Sequence, residues 1–287
     1  MLLDVMQQML PHMKSRISMN FLSLAALTVL DLRPDEQIIC AQECGYQGVG
    51  LRLIPATPEE KHYSLLGSKE RLRVVKNALS ANGIQVLDIE IFRLKPDTRI
   101  EDYEAYLEIG AELGTQNLLV AGNDSDRHRL SDNWAKLSDL AKTYNIKPNM
   151  EPMPWTDVKN YLDAVDLVES GPTWGSVLID PIHFFRAEGF CKQITPEHAQ
   201  RMNYLQFTDA PAEQPNTMDE ILRQAREDRL PPGLGGLPLT ELMSKLPVDI
   251  PISVEIPLSP KWGCNTPQEK AQLAIKHTIH FLEKMKQ

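Results

Sequence analysis

Short apolar, β-branched runs alternate with longer amphipathic stretches along this chain, and the alternation repeats eight times. Strands are expected near residues 17–22, 48–53, 85–91, 117–121, 146–151, 176–180, 204–208 and 252–255, each an apolar run of strand length. Helical spacing is expected over 34–44, 68–82, 101–113, 131–144, 156–170, 195–202, 239–245 and 267–284. Pro34 and Pro267 fall at first-turn positions, where a missing N–H costs nothing. Gly83, Gly114 and Gly171 fall where helices stop, as a left-handed cap requires. Strands joined by helical crossovers pair in parallel, and eight such units close on themselves. The expected fold is therefore α/β, a (β/α)8 TIM barrel. An open doubly wound sheet is the competing arrangement, but no GxGxxG follows the first strand.

The 287 residues suit one such barrel, typically ~250 residues long. Residues 17–287 are read as a single catalytic domain, and residues 1–16 (MLLDVMQQMLPHMKSR) as an N-terminal extension. The net charge of −9 and the lack of a Lys/Arg cluster argue against a nucleic-acid partner. Cys40, Cys44, Cys191 and Cys264 form no CxxC or zinc spacing and read as thiols of a reducing cytoplasm. The longest apolar stretch, residues 21–30, is too short to span a membrane and too deep for a signal peptide. A cytoplasmic enzyme of small molecules is expected, with no membrane partner and a homo-oligomer left open.

Four oxygen donors stand at or just beyond the ends of four of these strands: Glu151 in KPNME, Asp180 in SVLID, Gln206 in YLQFTDA and Glu255 in ISVE. A parallel barrel keeps its chemistry at the C-terminal strand ends. Alone, each residue is explained as well by a helix cap, a satisfied core group or a lysine partner. Together they fall at one end of the barrel and suggest a single cation site. Three carboxylates and an amide carbonyl form a hard donor set that favours Mn²⁺ or Mg²⁺ over a structural zinc. His183 follows Asp180 by three residues on the same strand exit, placed to hold a substrate hydroxyl or carry its proton.

Further candidates are Arg52 ending the second strand, Asp88 and Glu90 on one face of the third, and Asn123 with Asp124 after the fourth. Lys261 and Trp262 follow Glu255 closely enough to wall a pocket; an exposed loop is the alternative. The long link from 209 to 238 is rich in Pro and Gly and carries Arg223, Arg226 and Arg229. It reads either as a loop folded over a polar ligand or as a short solvated helix at DEILRQARED.

From about residue 17 onward the pattern resembles the xylose-isomerase-like barrels. That group of sugar phosphate isomerases and epimerases includes inosose dehydratases, ketose 3-epimerases and 3-dehydroshikimate dehydratases. The likeness rests on Glu151, on Asp180-x-x-His183, on YLQFTDA, on RLPPGLGGLPL and on SVEIP. It implies that Glu151, Asp180, Gln206 and Glu255 hold a divalent metal, and that His183 and Arg229 touch substrate. Two departures stand out. Many members carry histidine where this chain has Gln206, although some dehydratases use glutamine. The loop motif PGEG, followed by an acid, is replaced by Pro232-Gly233-Leu234-Gly235-Gly236.

The expected chemistry is that of a metal-dependent sugar, sugar phosphate or keto-polyol isomerase or epimerase. It would act through an enediolate, with Glu151 and Glu255 as acid and base. A dehydratase (lyase) of a keto-cyclitol or dehydroshikimate-like substrate shares that intermediate, and Gln206 keeps it open. A catalytically silent sugar-binding barrel is the non-enzyme alternative.

Overall fold

The computed structural model describes residues 20–172 and 174–286. The expected extension at 1–16 and the start of the first expected strand lie outside the described residues. Eight strands are present: β1 (Leu22–Leu24), β2 (Gly48–Arg52), β3 (Gln85–Leu94), β4 (Asn117–Gly122), β5 (Lys147–Met150), β6 (Ser176–Val177), β7 (Leu205–Phe207) and β8 (Ile252–Val254). They are parallel and run in the order β6-β5-β4-β3-β2-β1-β8-β7. A parallel bridge between Ile179 and Leu205 joins the two ends, and Gln206 N donates to Ile179 O at 3.1 Å. The ring is thereby closed, as the alternation of elements predicts.

Strand period decides which residues meet inside the ring. On β4, β7 and β8 the residues Leu118, Val120, Leu205, Phe207, Ile252 and Val254 pack outward into the main core with the helices. Their neighbours face the lumen, where Leu119, Ala121, Leu178 and Tyr204 form a separate inner cluster with Leu87, Ile91 and Met153. Glu151, Asp180, Gln206 and Glu255 continue the inward series at the C-terminal ends of β5 to β8.

The outer layer holds α1 (Pro34–Cys44), α2 (Lys69–Asn82), α3 (Glu104–Glu112), α4 (Arg127–Thr143), α5 (Tyr161–Glu169), α6 (Pro181–Arg186), α7 (Pro196–Arg201), α8 (Met218–Glu227), α9 (Leu239–Met243) and α10 (Pro267–Lys284). Both α1 and α10 begin at a proline, and α10 is capped by Thr266 and Glu269 reaching into each other's backbone. Gly83 and Gly114 end their helices with φ of 64° and 77°.

Several expectations shift. The fourth helix starts at Arg127 rather than 131, because the side chain of Asp126 caps it by accepting from His128 N and Arg129 N. The fifth helix starts at Tyr161 rather than 156, because Asn160 is the residue whose side chain caps it and Thr156 bonds Met153 O and Val158 O instead. Gly171 is not a left-handed cap; a side chain there would meet the Trp134 ring at 2.9 Å. A short helix, α6, follows β6 directly, started by Pro181 and capped by Asp180.

Candidate active site

Each candidate ligand is placed by the backbone ladder of its strand. Glu151 N donates to Val120 O at 2.8 Å and Glu255 N to Phe207 O at 3.2 Å, so both leave their strands at the same mouth. There they line a cavity of about 330 Å³ together with His183, Gln206 and Arg229. Asp180 stands directly behind. Its Oδ2 lies 3.6 Å from His183 Nε2, which is also 3.6 Å from Glu151 Oε1. Donor atoms of Glu151, Asp180 and His183 all fall within 4.8 Å of one another, a spacing one cation can bridge. Gln206 Oε1 is buried with no hydrogen-bond partner among the described residues, and a buried carbonyl in that state calls for a ligand or water. The group close enough to share a cation is thus Glu151, Asp180 and His183, while Gln206 and Glu255, expected as ligands, line the same cavity.

Arg229 ties this set together. It is 1% exposed, and its guanidinium spans two of the carboxylates: Nη1 is 2.6 Å from Asp180 Oδ2, and Nη2 is 2.8 Å from Glu255 Oε2. Nη1 also donates to Glu255 O and Nε to Ala225 O. Asp180 keeps its second oxygen on Ile182 N, the capping role that a strand-end acid readily takes. A carboxylate offers about four lone-pair sites, so these bonds leave room for a cation.

Charge crowding divides the acids. Burial pushes Glu255 up to about 7, aided by Glu90 and Asp180 and opposed by Arg229 and Arg52. Burial, then Asp180 and Glu255, drive Glu151 well above the usual carboxylate range. Burial acts the same way on Asp180, but Arg229 and His183 outweigh it and hold that group low. Burial lowers His183 to about 4, so the ring is neutral at physiological pH.

The second-strand candidates form their own pair on the cavity wall. Arg52 Nε is 3.0 Å from Glu90 Oε1 and its Nη1 is 2.8 Å from Glu60 Oε2. Asp88 is buried against Gly50 below the cavity wall, its Oδ1 unpartnered among the described residues. Asp124 holds Arg129 at 2.6 Å, outside the wall. Lys261 and Trp262 also stand outside it: the turn Pro260–Trp262 carries Lys261 Nζ to 2.6 Å from Asp228 Oδ1. The long link contains a helix, α8, with three different fates for its arginines. Arg223 pairs with Glu220 and Asp228 on the surface, Arg226 lines the cavity rim, and Arg229 is buried.

Sequence reasoning missed Trp155, Arg93 and Asp209. Trp155 follows Glu151 by four residues, and its ring meets His183 edge-on at 4.9 Å. Asp209, the acid of YLQFTDA, supplies the carboxylate that the glycine-rich loop lacks. Its carboxylate accepts from the N–H groups of Ala210, Gly233, Gly235 and Leu237. Its backbone exchanges both hydrogen bonds with Leu230, at 2.8 and 2.9 Å. This clamp seats the residue next to Arg229. Asp209→Ala is therefore expected to cost about 2–3 kcal/mol, measured by urea unfolding, since four charge-assisted bonds from backbone amides go at once. An unchanged midpoint would contradict the clamp.

The family described as the xylose isomerase-like TIM barrel matches residues 40–285. The chain belongs to it. Solved structures agree at the level of the fold. The IolI protein with a bound zinc atom is 18% identical, with a TM-score of 0.73, over 92% of this chain and 98% of that one. D-allulose 3-epimerase from Methylomonas sp., in complex with D-allulose, is 14% identical, with a TM-score of 0.66, over 91% and 96%. The probable 3-DHS dehydratase AsbF from Bacillus anthracis is 13% identical, with a TM-score of 0.65, over 91% and 99%. Among curated proteins nothing matches the chain in sequence. No helix of the described residues is long and apolar enough to cross a membrane.

Proposed function

We propose that this barrel is a divalent-metal-dependent isomerase or epimerase of a polyhydroxylated carbonyl compound, with Mn²⁺ or Mg²⁺ as the cation. The supporting observation is that Glu151, His183, Gln206 and Glu255 line one cavity at the barrel mouth, with Asp180 directly behind it, 3.6 Å from His183. When bound, the cation polarises the substrate carbonyl and a neighbouring hydroxyl, making the adjacent C–H acidic. Glu151 and Glu255 leave β5 and β8, with two strands between them around the ring, and act as base and acid on that C–H. Their raised basicity suits the task, because a carboxylate near neutrality both takes and returns a proton. His183, neutral and braced by Trp155, orients a substrate hydroxyl. Met153, Leu119 and Ile91 give the cavity an apolar wall that excludes water.

A metal-dependent dehydratase is the second reading, favoured by the amide of Gln206 at the seventh strand. It uses the same proton removal and then expels a β-hydroxyl. The deciding experiment incubates Mn²⁺- or Mg²⁺-loaded protein with a panel of ketoses, sugar phosphates and keto-cyclitols in D₂O. Deuterium at a single carbon is expected of the isomerase or epimerase, and loss of water of the lyase. No exchange and no product across the panel would set both aside.

Metal loading should also release protons. Cations bind the ionised carboxylate, and burial with neighbouring acids raises Glu255 to about 7 and pushes Glu151 upward, so cation binding competes with protonation. Metal affinity is accordingly expected to rise with pH below about 7 and to flatten as Glu255 becomes fully ionised above it. Calorimetry of Mn²⁺ binding at pH 7 in buffers of different ionisation heat checks this: a heat independent of buffer would count against these two acids as ligands.

A further inference from the structure

Four arginines line the cavity, and they fall into two kinds. Arg52 and Arg229 are each saturated by a pair of carboxylates, Glu60 with Glu90 and Asp180 with Glu255. Arg93 and Arg226 have no carboxylate within ion-pair distance among the described residues. Arg93 leaves the C-terminal end of β3 half-buried. One of its terminal nitrogens donates to Asn123 Oδ1 at 2.9 Å, while its Nε is buried with no partner. Arg226 reaches the same cavity from α8 and lies 5.8 Å from the centre of the Trp155 ring. That ring also meets His183 edge-on at 4.9 Å, so Arg226 sits beside the candidate catalytic set rather than on a remote surface.

The unsatisfied group here is the buried Nε of Arg93, which an incoming acceptor would satisfy. A buried guanidinium N–H left unmade costs about 1–3 kcal/mol. Two like charges sharing a cavity add repulsion. Arg93 is held less basic than usual by burial and by its arginine neighbours Arg52 and Arg226, with Glu151 opposing. The planar fork of arginine matches the oxygens of a carboxylate or phosphate. At about 330 Å³ the cavity has room for one small molecule reaching from the strand-end acids to these cations.

We infer that Arg93 and Arg226, with Asn123 fixing the first, form an anion subsite, so that the substrate is an acidic polyol bearing a carboxylate or a phosphate. This assignment rests on the catalytic reading above only for the word substrate; anion binding at these residues stands without it.

The test is an equilibrium titration of EDTA-treated protein, followed by calorimetry, with two matched pairs of probes. One pair is fructose 6-phosphate and fructose; the other is quinate and its methyl ester. In at least one pair the charged member is expected to bind about tenfold or more tightly than the neutral one, as one or two charge-assisted bonds provide. Which pair shows it distinguishes phosphate from carboxylate. The preference is expected to shrink several-fold in Arg226→Gln and to vanish in Arg93→Gln/Arg226→Gln, while Arg223→Gln, on the outer face of α8, leaves it intact. Arg226 is exposed, so its single variant decides the matter if the double one fails to fold. Equal affinities within both pairs, or a preference that survives loss of Arg226 and Arg93, would overturn the subsite. Because no metal is present, charged-ligand binding without turnover in the metal-loaded enzyme indicts the catalytic reading alone.

Discussion

Glu151→Gln and Glu255→Gln, made singly, are each expected to lower turnover by about 10²–10⁴-fold with the barrel intact, the range that a positioned acid or base supplies. The amide keeps the shape of the side chain and one oxygen that ligates a cation, but it cannot take a proton. Both residues are buried (3% and 4% exposed), and in Glu255→Gln the amide oxygen still accepts from Arg229, which keeps Asp180 as its carboxylate partner. Mn²⁺ binding is expected to weaken less than activity, which separates proton transfer from metal loss. Near-normal turnover in both variants would end the acid–base assignment. A collapse of activity matched by an equal loss of Mn²⁺ affinity would reduce the two glutamates to ligands.

The second large effect is on stability. Arg229→Met in metal-free protein is expected to cost about 3–5 kcal/mol, because removing one partner of a buried ion pair strands the others. Here two carboxylates are stranded, Asp180 and Glu255, each less than 3 Å from the guanidinium. A divalent cation supplies the missing positive charge, so saturating Mn²⁺ is expected to restore more stability to the variant than to the wild type. Thermal unfolding with and without Mn²⁺ measures both quantities. Wild-type stability in the metal-free variant would show that the pairs carry no net weight. A loss that Mn²⁺ does nothing to reverse would show that Arg229 matters for packing, not for charge balance.

Much of this was readable in the chain. Both α1 and α10 are found over the spans expected, because each is delimited by local signals, an N1 proline and a change of period. The strand-end donors were legible because inward and outward residues alternate strictly on β7 and β8 and the acids continue the inward phase. What escaped the sequence depends on chain segments distant from one another. Nothing near Arg229 in sequence says that it bridges Asp180 and Glu255, since its place is set by Asp209, from the end of β7, gripping Gly233 and Gly235. Lys261 is near Glu255 along the chain, yet a single 3₁₀ turn directs it to Asp228. Arg93 gave no signal because the residue that holds it, Asn123, comes from the next strand exit. Trp155 was within reach: it lies four residues past a strand-end acid, where the mouth of a barrel is walled.

The paired backbone bonds between Asp209 and Leu230 act as a neck. They fix the two ends of the excursion side by side, whatever length or composition the stretch between them has. Arg226 sits inside that stretch and Arg229 beside its base. A change of length or composition at the rim therefore leaves the acids and their guanidinium bridge in register. Taste and chemistry are built into separate pieces of polypeptide.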